Sequence, residues 1–289
     1  MVAHSAIELR IDPRSRPVGS GQVQRLLPYR LRRMVGPFIF ADVIGPDALQ
    51  QGAGIDINAH PHIGLSTVTY LFDGRLVHRD STGATQTVEP GAVNWMTAGS
   101  GVAHTERSHP DDIGRDRTMF GLQTWVALPD GAEEVGASFE HLPAPDVPTD
   151  RTPGADIRVA VGSGWDLESP VTGSSPLVLA ELHLDGTAAV PVATGHAEIA
   201  VLVLDGAVAV NDEALVVGQL ALLRTDVTSR LSGRGTVIVL GGDPVGPRRI
   251  WWNFVSSDPD RIEQAKEDWL AQRFPTVPGD HDPYVPLPG

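Results

Sequence analysis

The chain has 289 residues, enough for two domains of ordinary size, and carries 36 acidic against 22 basic residues for a formal net charge of -14. Such a surface repels polyanions, so direct binding to DNA or RNA is not expected. Cysteine is absent, which excludes disulfides, thiolate metal ligands and thiol nucleophiles.

The distribution of apolar residues bears on location and fold class. No stretch reaches the roughly 18 apolar residues of a membrane span, and the N-terminus lacks the apolar segment of a secretory signal. We therefore expect a cytoplasmic protein that does not enter membranes. Its 31 glycines and 24 prolines, with few long helical patterns, predict an all-β fold of short strands and tight turns.

Two histidines one residue apart, His60 and His62, form the first metal-capable pair. Pro61 between them lacks a backbone N–H and favours an extended conformation of the residue before it, so we predict a strand edge, a strand start or a bulge. Side chains two positions apart in a strand share one face, so this pair can bind one ion. On its own, however, an H-x-H pattern is more often idle.

Asp73-Gly74 separates two β-rich runs in residues 67–80, and this dipeptide is typical of a β-hairpin. The outline recurs in residues 199–212, and a glycine turn with its following strand recurs downstream at nearly the same separation. The repetition indicates an internal duplication of an all-β unit. His78 lies on the second run of the first copy; it could support metal ligands, but we expect a surface position.

His104 and Glu106 form the second metal-capable pair, after a segment in which Gly99 and Gly101 permit a tight turn. Imidazoles with one carboxylate suit Fe, Mn, Co, Ni, Cu or Zn, whereas Ca and Mg prefer oxygen ligands. If the two pairs lie on neighbouring strands, they bind one divalent transition metal and leave two octahedral positions open. The net charge of about +1 would attract an enolate, a catecholate or superoxide.

The second copy lacks this ligand set. Carried over by the spacing of the repeat, the four ligand positions fall on Val192, Thr194, Leu231 and Gly233. The sequence therefore predicts that only the first half binds a metal. Residues 141–156 are rich in Pro and Asp and are expected to cross between the halves, which predicts domains at 1–145 and 146–289.

A helix is predicted near the C-terminus, where Ser257 or Asp258 precedes Pro259. Its apolar face would consist of Ile262, Ala265, Trp269 and Leu270. The proline-rich residues 275–289 are expected to lie extended on the surface. We assign both the helix and this tail to the second domain.

Several segments, in this order, resemble the pirin family of the cupin superfamily. They are MVGPFIFADVIGP (34–46), HPHIGLSTVTYLFDG (60–74), HRDSTG (78–83), EPGAVNWMTAGSGVAHTE (89–106), TGHAEIAVLVLDG (194–206) and the helical IEQAKEDWLAQRF (262–274). The resemblance covers nearly the whole chain.

This resemblance implies two jelly-roll β-barrels packed face to face, with one metal, usually iron, in the N-terminal barrel of residues 1–145 and none in the barrel of residues 146–289. The ligands that it implies are His60, His62, His104 and Glu106. Where many members have Arg and Glu after the second histidine, this chain has Ile63 and Ser66. Both positions are expected to flank the site, which leaves pocket polarity and substrate preference open.

Members of the family are associated with quercetin 2,3-dioxygenase activity, which implies a flavonol and O2 as substrates, release of carbon monoxide, and Fe(II) as the expected ion. Glu106 would alternate between metal ligand and proton acceptor. The main alternative is a non-catalytic, redox-sensitive iron protein whose surface is read by a protein partner. A third class, a zinc-dependent sugar isomerase, would need polar residues where VNWM and IGL supply an apolar wall.

Overall fold

The computed structural model describes residues 5–19, 21–192 and 195–289. Thr194, one of the positions predicted to correspond to a metal ligand, lies outside the described residues. Strands account for most of the regular structure, as the composition predicts.

The strands of the first half of the chain are β1 (Ile7–Ile11), β2 (Arg14–Val18), β3 (Gly21–Leu27), β4 (Phe38–Leu49), β5 (Ile57–His62), β6 (Leu65–Asp73), β7 (Leu76–Asp80), β8 (Thr85–Val88), β9 (Val93–Thr97), β10 (Val102–Ser108), β11 (Arg117–Ala127) and β12 (Ser138–Leu142). Those of the second half are β13 (Thr149–Thr152), β14 (Ala155–Gly164), β15 (Leu167–Glu168), β16 (Leu177–Asp185), β17 (Val190–Pro191), β18 (Glu198–Val203), β19 (Ala207–Val210), β20 (Glu213–Ala214), β21 (Leu220–Leu223), β22 (Arg230–Gly242), β23 (Arg249–Trp251) and β24 (Phe254–Ser256).

The helices are a single turn, α1 (Pro110–Ile113), and the predicted C-terminal helix, α2 (Pro259–Leu270). Asp258 caps α2 by accepting a hydrogen bond from the backbone of Asp260, which confirms the predicted start. The predicted face is correct except at Leu270, which is 69% exposed because the next position on a helix is rotated by about 100° from the buried Trp269. Within the described residues, no helix is long and apolar enough to cross a membrane.

The contacts divide the chain into two compact units. The 146–244 unit contains Asp146–Pro244 with Leu26–Phe40 and the described residues of Met1–Arg14; the 41–145 unit contains Ala41–Pro145 with Ser15–Arg25 and Val245–Gly289. The predicted linear domains, 1–145 and 146–289, therefore differ from the units at both ends of the chain. α2 and the tail fall in the 41–145 unit because Trp269 and Phe254 share one buried cluster with Ala59.

The segment 141–156, predicted to cross between the halves, contains the division between the two units at Pro145 and Asp146, and it also contains regular structure. It includes a 3-10 turn at Ala144–Asp146, the strand β13 and the start of β14, with which β13 pairs antiparallel. The four prolines of the segment lie between strands, whereas Asp150 and Asp156 lie within β13 and β14.

The 41–145 unit contains a seven-stranded sheet in the order β12-β9-β6-β11-β4-β3-β2, a four-stranded sheet in the order β5-β10-β7-β8, and the pair β23-β24. The hairpin predicted around Asp73-Gly74 is wrong, because β6 and β7 belong to different sheets. The chain does turn at this point, with Gly74 at φ +83. The dipeptide sets the turn, whereas burial of each strand against its own neighbours sets the pairing.

The 146–244 unit is built on an eleven-stranded sheet. β18 and β19 both pair with β22 rather than with each other, so the second predicted hairpin is wrong for the same reason. The interior of this unit is apolar: Leu231 is fully buried in it and Val192 packs against it. These two positions correspond to predicted ligands in the first half, so apolar packing replaces metal ligands here.

Candidate metal centre

Adjacent strands bring the two histidine segments together. β5 is the edge strand of the four-stranded sheet, as Pro61 requires, and β10 pairs with it antiparallel. His104 lies directly opposite His60, so their side chains share one face of the sheet.

The other face of these strands packs against α2. Ala59, Ile63 and Ala103 alternate with the histidines and are fully buried in a cluster with Phe254 and Trp269. Ile63 therefore does not flank the site, contrary to the prediction, because strand alternation turns it toward the opposite face. Ser66 is also buried, and its hydroxyl shares a hydrogen bond of 3.0 Å with that of Thr97.

The three predicted histidines form a compact buried group, the triad. The potential ligand atoms of His60, His62 and His104 all lie within 4.8 Å of one another. The ring centroids of His60 and His104 are 4.2 Å apart, and the Nε2 atoms of His62 and His104 are 3.1 Å apart. Each side chain is at most 8% exposed.

Hydrogen bonds to the backbone determine which ring nitrogens can bind an ion. His60 Nδ1 lies 2.8 Å from the carbonyl oxygen of Asn58, and His62 Nδ1 lies 3.2 Å from that of Asn253. A carbonyl oxygen only accepts, so each Nδ1 carries the hydrogen and each neutral ring presents a lone pair at Nε2. Nitrogen lone pairs that converge in a buried site are stabilised by a cation, so the donor set fits a divalent transition metal.

Burial also keeps these rings free of protons. It lowers the pKa of His60 from 6.5 to about 4, against a smaller opposing effect of the Asn58 carbonyl. The pKa values of His62 and His104 are held well below 6.5, first by burial and then by the neighbouring imidazoles. All three rings are therefore neutral at pH 7, which is the state that binds metals.

Glu106, the predicted fourth ligand, is buried on β10 but is not part of this compact group. The register between β10 and β5 shifts between His104 and Glu106, so that Glu106 faces Ile57. One carboxylate oxygen lies 3.5 Å from the Thr69 hydroxyl. Burial raises the pKa of Glu106, which makes its carboxylate a stronger base.

The structure adds residues that the sequence analysis missed or misplaced. His78 was expected at the surface but is 4% exposed, stacks on Phe139 at 4.6 Å, and contacts both Asp80 and His104. The i, i+2 spacing of His78 and Asp80 was a usable signal, because it places both on one face of a strand. The rings of Trp125 and His62 form a T-shaped pair with centroids 5.0 Å apart, and no local pattern predicted that contact.

Comparison with known proteins gives matches in both halves of the chain. Residues 20–126 match the Pirin family model and residues 179–275 match the Pirin C-terminal cupin domain. A pirin-like protein of Caulobacter vibrioides is 44% identical, covering 98% of this chain and 99% of its own length. A Pseudomonas aeruginosa protein that is named provisionally as a quercetin 2,3-dioxygenase is 36% identical over 92% of this chain and 84% of its own.

A solved structure supports the same grouping. The crystal structure of a quercetin 2,3-dioxygenase from Acinetobacter baumannii superimposes with a TM-score of 0.89 at 33% identity, covering 97% of this chain and 95% of that one. The predicted all-β fold with two cupin domains is thereby confirmed. Together with the full-length sequence similarity, these matches show that the chain belongs to the pirin family of cupin proteins.

Proposed function

We propose that this protein is a metal-dependent dioxygenase that cleaves the ring of a flavonol such as quercetin with O2 and releases carbon monoxide. The observation that carries the proposal is the convergence of three buried imidazoles with lone pairs at Nε2. Such a donor set binds Fe(II) and its neighbours Mn, Co, Ni, Cu and Zn, and three protein nitrogens leave coordination positions for other ligands. Similarity to the quercetin 2,3-dioxygenase of Acinetobacter baumannii supports the choice of substrate class.

The bound ion would supply Lewis-acid and redox chemistry toward the flavonol oxygens and O2. The chain's own residues would supply the rest. Glu106 accepts the proton of the flavonol hydroxyl, because burial raises its pKa and because it lies on β10, the strand that carries His104. Glu106 would also serve as the fourth ligand, a role that requires its carboxylate to move toward the histidines. Trp125 beside His62 offers an aromatic surface to a flat substrate.

The test uses protein loaded with Fe(II) under nitrogen and mixed with quercetin before oxygen is admitted. We expect the flavonol absorbance to fall and carbon monoxide to appear, whereas His104→Ala protein should show neither. His183→Ala is the matched control and should keep full activity, because His183 is exposed and lies in the 146–244 unit.

Failure of this test would have a specific meaning. If wild-type protein binds iron but consumes no more quercetin than His104→Ala protein, the enzyme assignment is wrong. Iron binding without turnover would instead favour the redox-sensitive protein that acts through a protein partner.

A further inference from the structure

We propose that Asp80 and His78 are positioning residues that hold His104 in the tautomer and orientation that bind the metal. We call this pair the Asp80–His78 relay. It rests on metal binding by the triad, which is part of the proposed function, but it does not depend on flavonol cleavage.

The relay is continuous and buried. An Asp80 carboxylate oxygen lies 2.9 Å from His78 Nε2, and His78 Nδ1 lies 3.4 Å from His104 Nδ1. Asp80 is directly opposite His104 in the antiparallel register of β7 and β10, so the pleat turns both side chains to one face. Asp80 is 0% exposed, and the ring of Phe139 stacks on His78 and fixes its plane.

The Asp80 carboxylate determines which group donates each hydrogen bond in the relay. The second carboxylate oxygen of Asp80 accepts hydrogen bonds from the backbone N–H of Thr82 at 2.8 Å and from its hydroxyl at 2.6 Å. A carboxylate with these donors acts as an acceptor toward His78 as well, so His78 Nε2 carries the hydrogen. With one hydrogen on the ring, at Nε2, His78 has its lone pair at Nδ1, and the contact with His104 requires the hydrogen on His104 Nδ1.

This order of hydrogens leaves His104 with a lone pair at Nε2, which points toward the equivalent atom of His62 at 3.1 Å. His60 and His62 obtain the same tautomer from backbone carbonyls. Within the triad, His104 therefore depends on side chains for its tautomer. A mutation of Asp80 or His78 can therefore change the tautomer of His104 while all three metal ligands stay the same.

Asp80→Asn tests the relay with a near-isosteric change. Thr82 keeps the remaining oxygen as its acceptor, so the new amide N–H₂ faces His78 Nε2 and drives the hydrogen onto His78 Nδ1. Two N–H groups would then oppose each other between His78 and His104, which disfavours the metal-binding tautomer. The Kd for nickel(II), measured by calorimetry on metal-free protein, should rise about 10- to 100-fold.

Asp42→Asn is the matched control. Asp42 is also buried, at 3% exposure, and its carboxylate is paired with Arg25 at 2.8 and 2.7 Å; it lies in the same unit but on β4, in the seven-stranded sheet rather than the four-stranded sheet that carries the histidines. Asp42→Asn should lower stability and leave the nickel(II) Kd unchanged. Combining Asp80→Asn with His78→Phe, which keeps a ring against Phe139, should weaken binding no further than His78→Phe alone.

A spectroscopic measurement on wild-type protein keeps the inference testable if Asp80→Asn does not fold. In the zinc-loaded protein, ¹⁵N resonances of His78 should show a hydrogen on Nε2 and none on Nδ1. The opposite tautomer, or a nickel(II) Kd for Asp80→Asn equal to that of the wild type, would overturn the relay and leave the triad standing. Wild-type protein that binds no nickel(II) would overturn the metal site and the relay together.

Discussion

At His60 and His62, a backbone carbonyl accepts a hydrogen bond from Nδ1–H, which leaves the lone pair of each ring at Nε2, where it can bind a metal. The sequence predicted both residues as ligands from their shared strand face. It did not predict the carbonyl of Asn253, which lies 191 residues beyond His62 and reaches it only through the tertiary fold. Residue type and spacing therefore predict which side chains meet, whereas the tautomer of His62 depends on a backbone carbonyl that is distant in the sequence.

The low pKa of His60 predicts how the metal-free protein responds to acid. The unfolded chain takes up a proton near pH 6.5, but the folded His60 does so only near pH 4. Its contribution to stability is therefore complete above pH 6.5 and is lost as the pH falls from 6.5 to 4, to a total of about 3 kcal/mol.

Urea unfolding of the metal-free protein at a series of pH values checks this expectation. The free energy of unfolding should decrease as the pH falls across that window. In His60→Asn protein the slope of this free energy against pH should be smaller, by the uptake of up to one proton on unfolding. A wild-type free energy that is constant between pH 6.5 and 4 would contradict the neutral, buried triad.

Glu106→Gln separates the two roles assigned to Glu106. The amide cannot accept the flavonol proton, so kcat should fall about 10²- to 10⁴-fold. The Kd for iron should rise, but by less than about tenfold, because the three histidines supply most of the donor set and the carboxylate must move to reach the ion. Steady-state kinetics with iron-loaded protein and a direct iron titration measure the two effects. Full turnover together with unchanged iron affinity would contradict both roles.

Among the elements, β5 and β10 were predictable because each has a strong local pattern. Pro61 indicated an edge strand, and β5 is at an edge. The Asp-Gly turns were also recognised, but the strands on either side of each turn pair with other partners. Pairing depends on which faces become buried across the whole unit, and a dipeptide carries no information on that.

The turn before β10 gives a prediction about local structure. Gly99 has φ +52, and a Cβ there would lie 1.9 Å from the carbonyl oxygen of Val135. Gly99→Ala should therefore lower the free energy of unfolding by more than about 2 kcal/mol, and it should also weaken metal binding because β10 carries His104.

Gly131→Ala is the control for that change. Gly131 also has positive φ, at +82, but a Cβ there would meet nothing within 4 Å. It should cost about 1 kcal/mol from backbone strain alone. Equal losses for the two variants in denaturant unfolding would show that the contact with Val135 is unimportant.

Across the whole molecule, the repeated β-pattern carries metal-capable side chains in one unit and apolar side chains in the other. In the 41–145 unit, polar side chains converge on the inner face of a sheet, whereas the 146–244 unit fills the corresponding positions with Leu231 and Val192. The predicted duplication accounts for the repeated Asp-Gly and glycine-turn motifs, and the second copy gains stability from apolar burial. The division into units was harder to predict, since the C-terminal helix returns to pack behind β5.

Metal content per chain tests the central claim most directly. Protein purified without a histidine tag, loaded with Fe(II) under nitrogen and passed through a desalting column should retain one ion per chain by mass spectrometry. His104→Ala protein treated in the same way should retain close to none. Two ions per wild-type chain, or an undiminished ion content in His104→Ala protein, would contradict a single metal centre built on the three histidines.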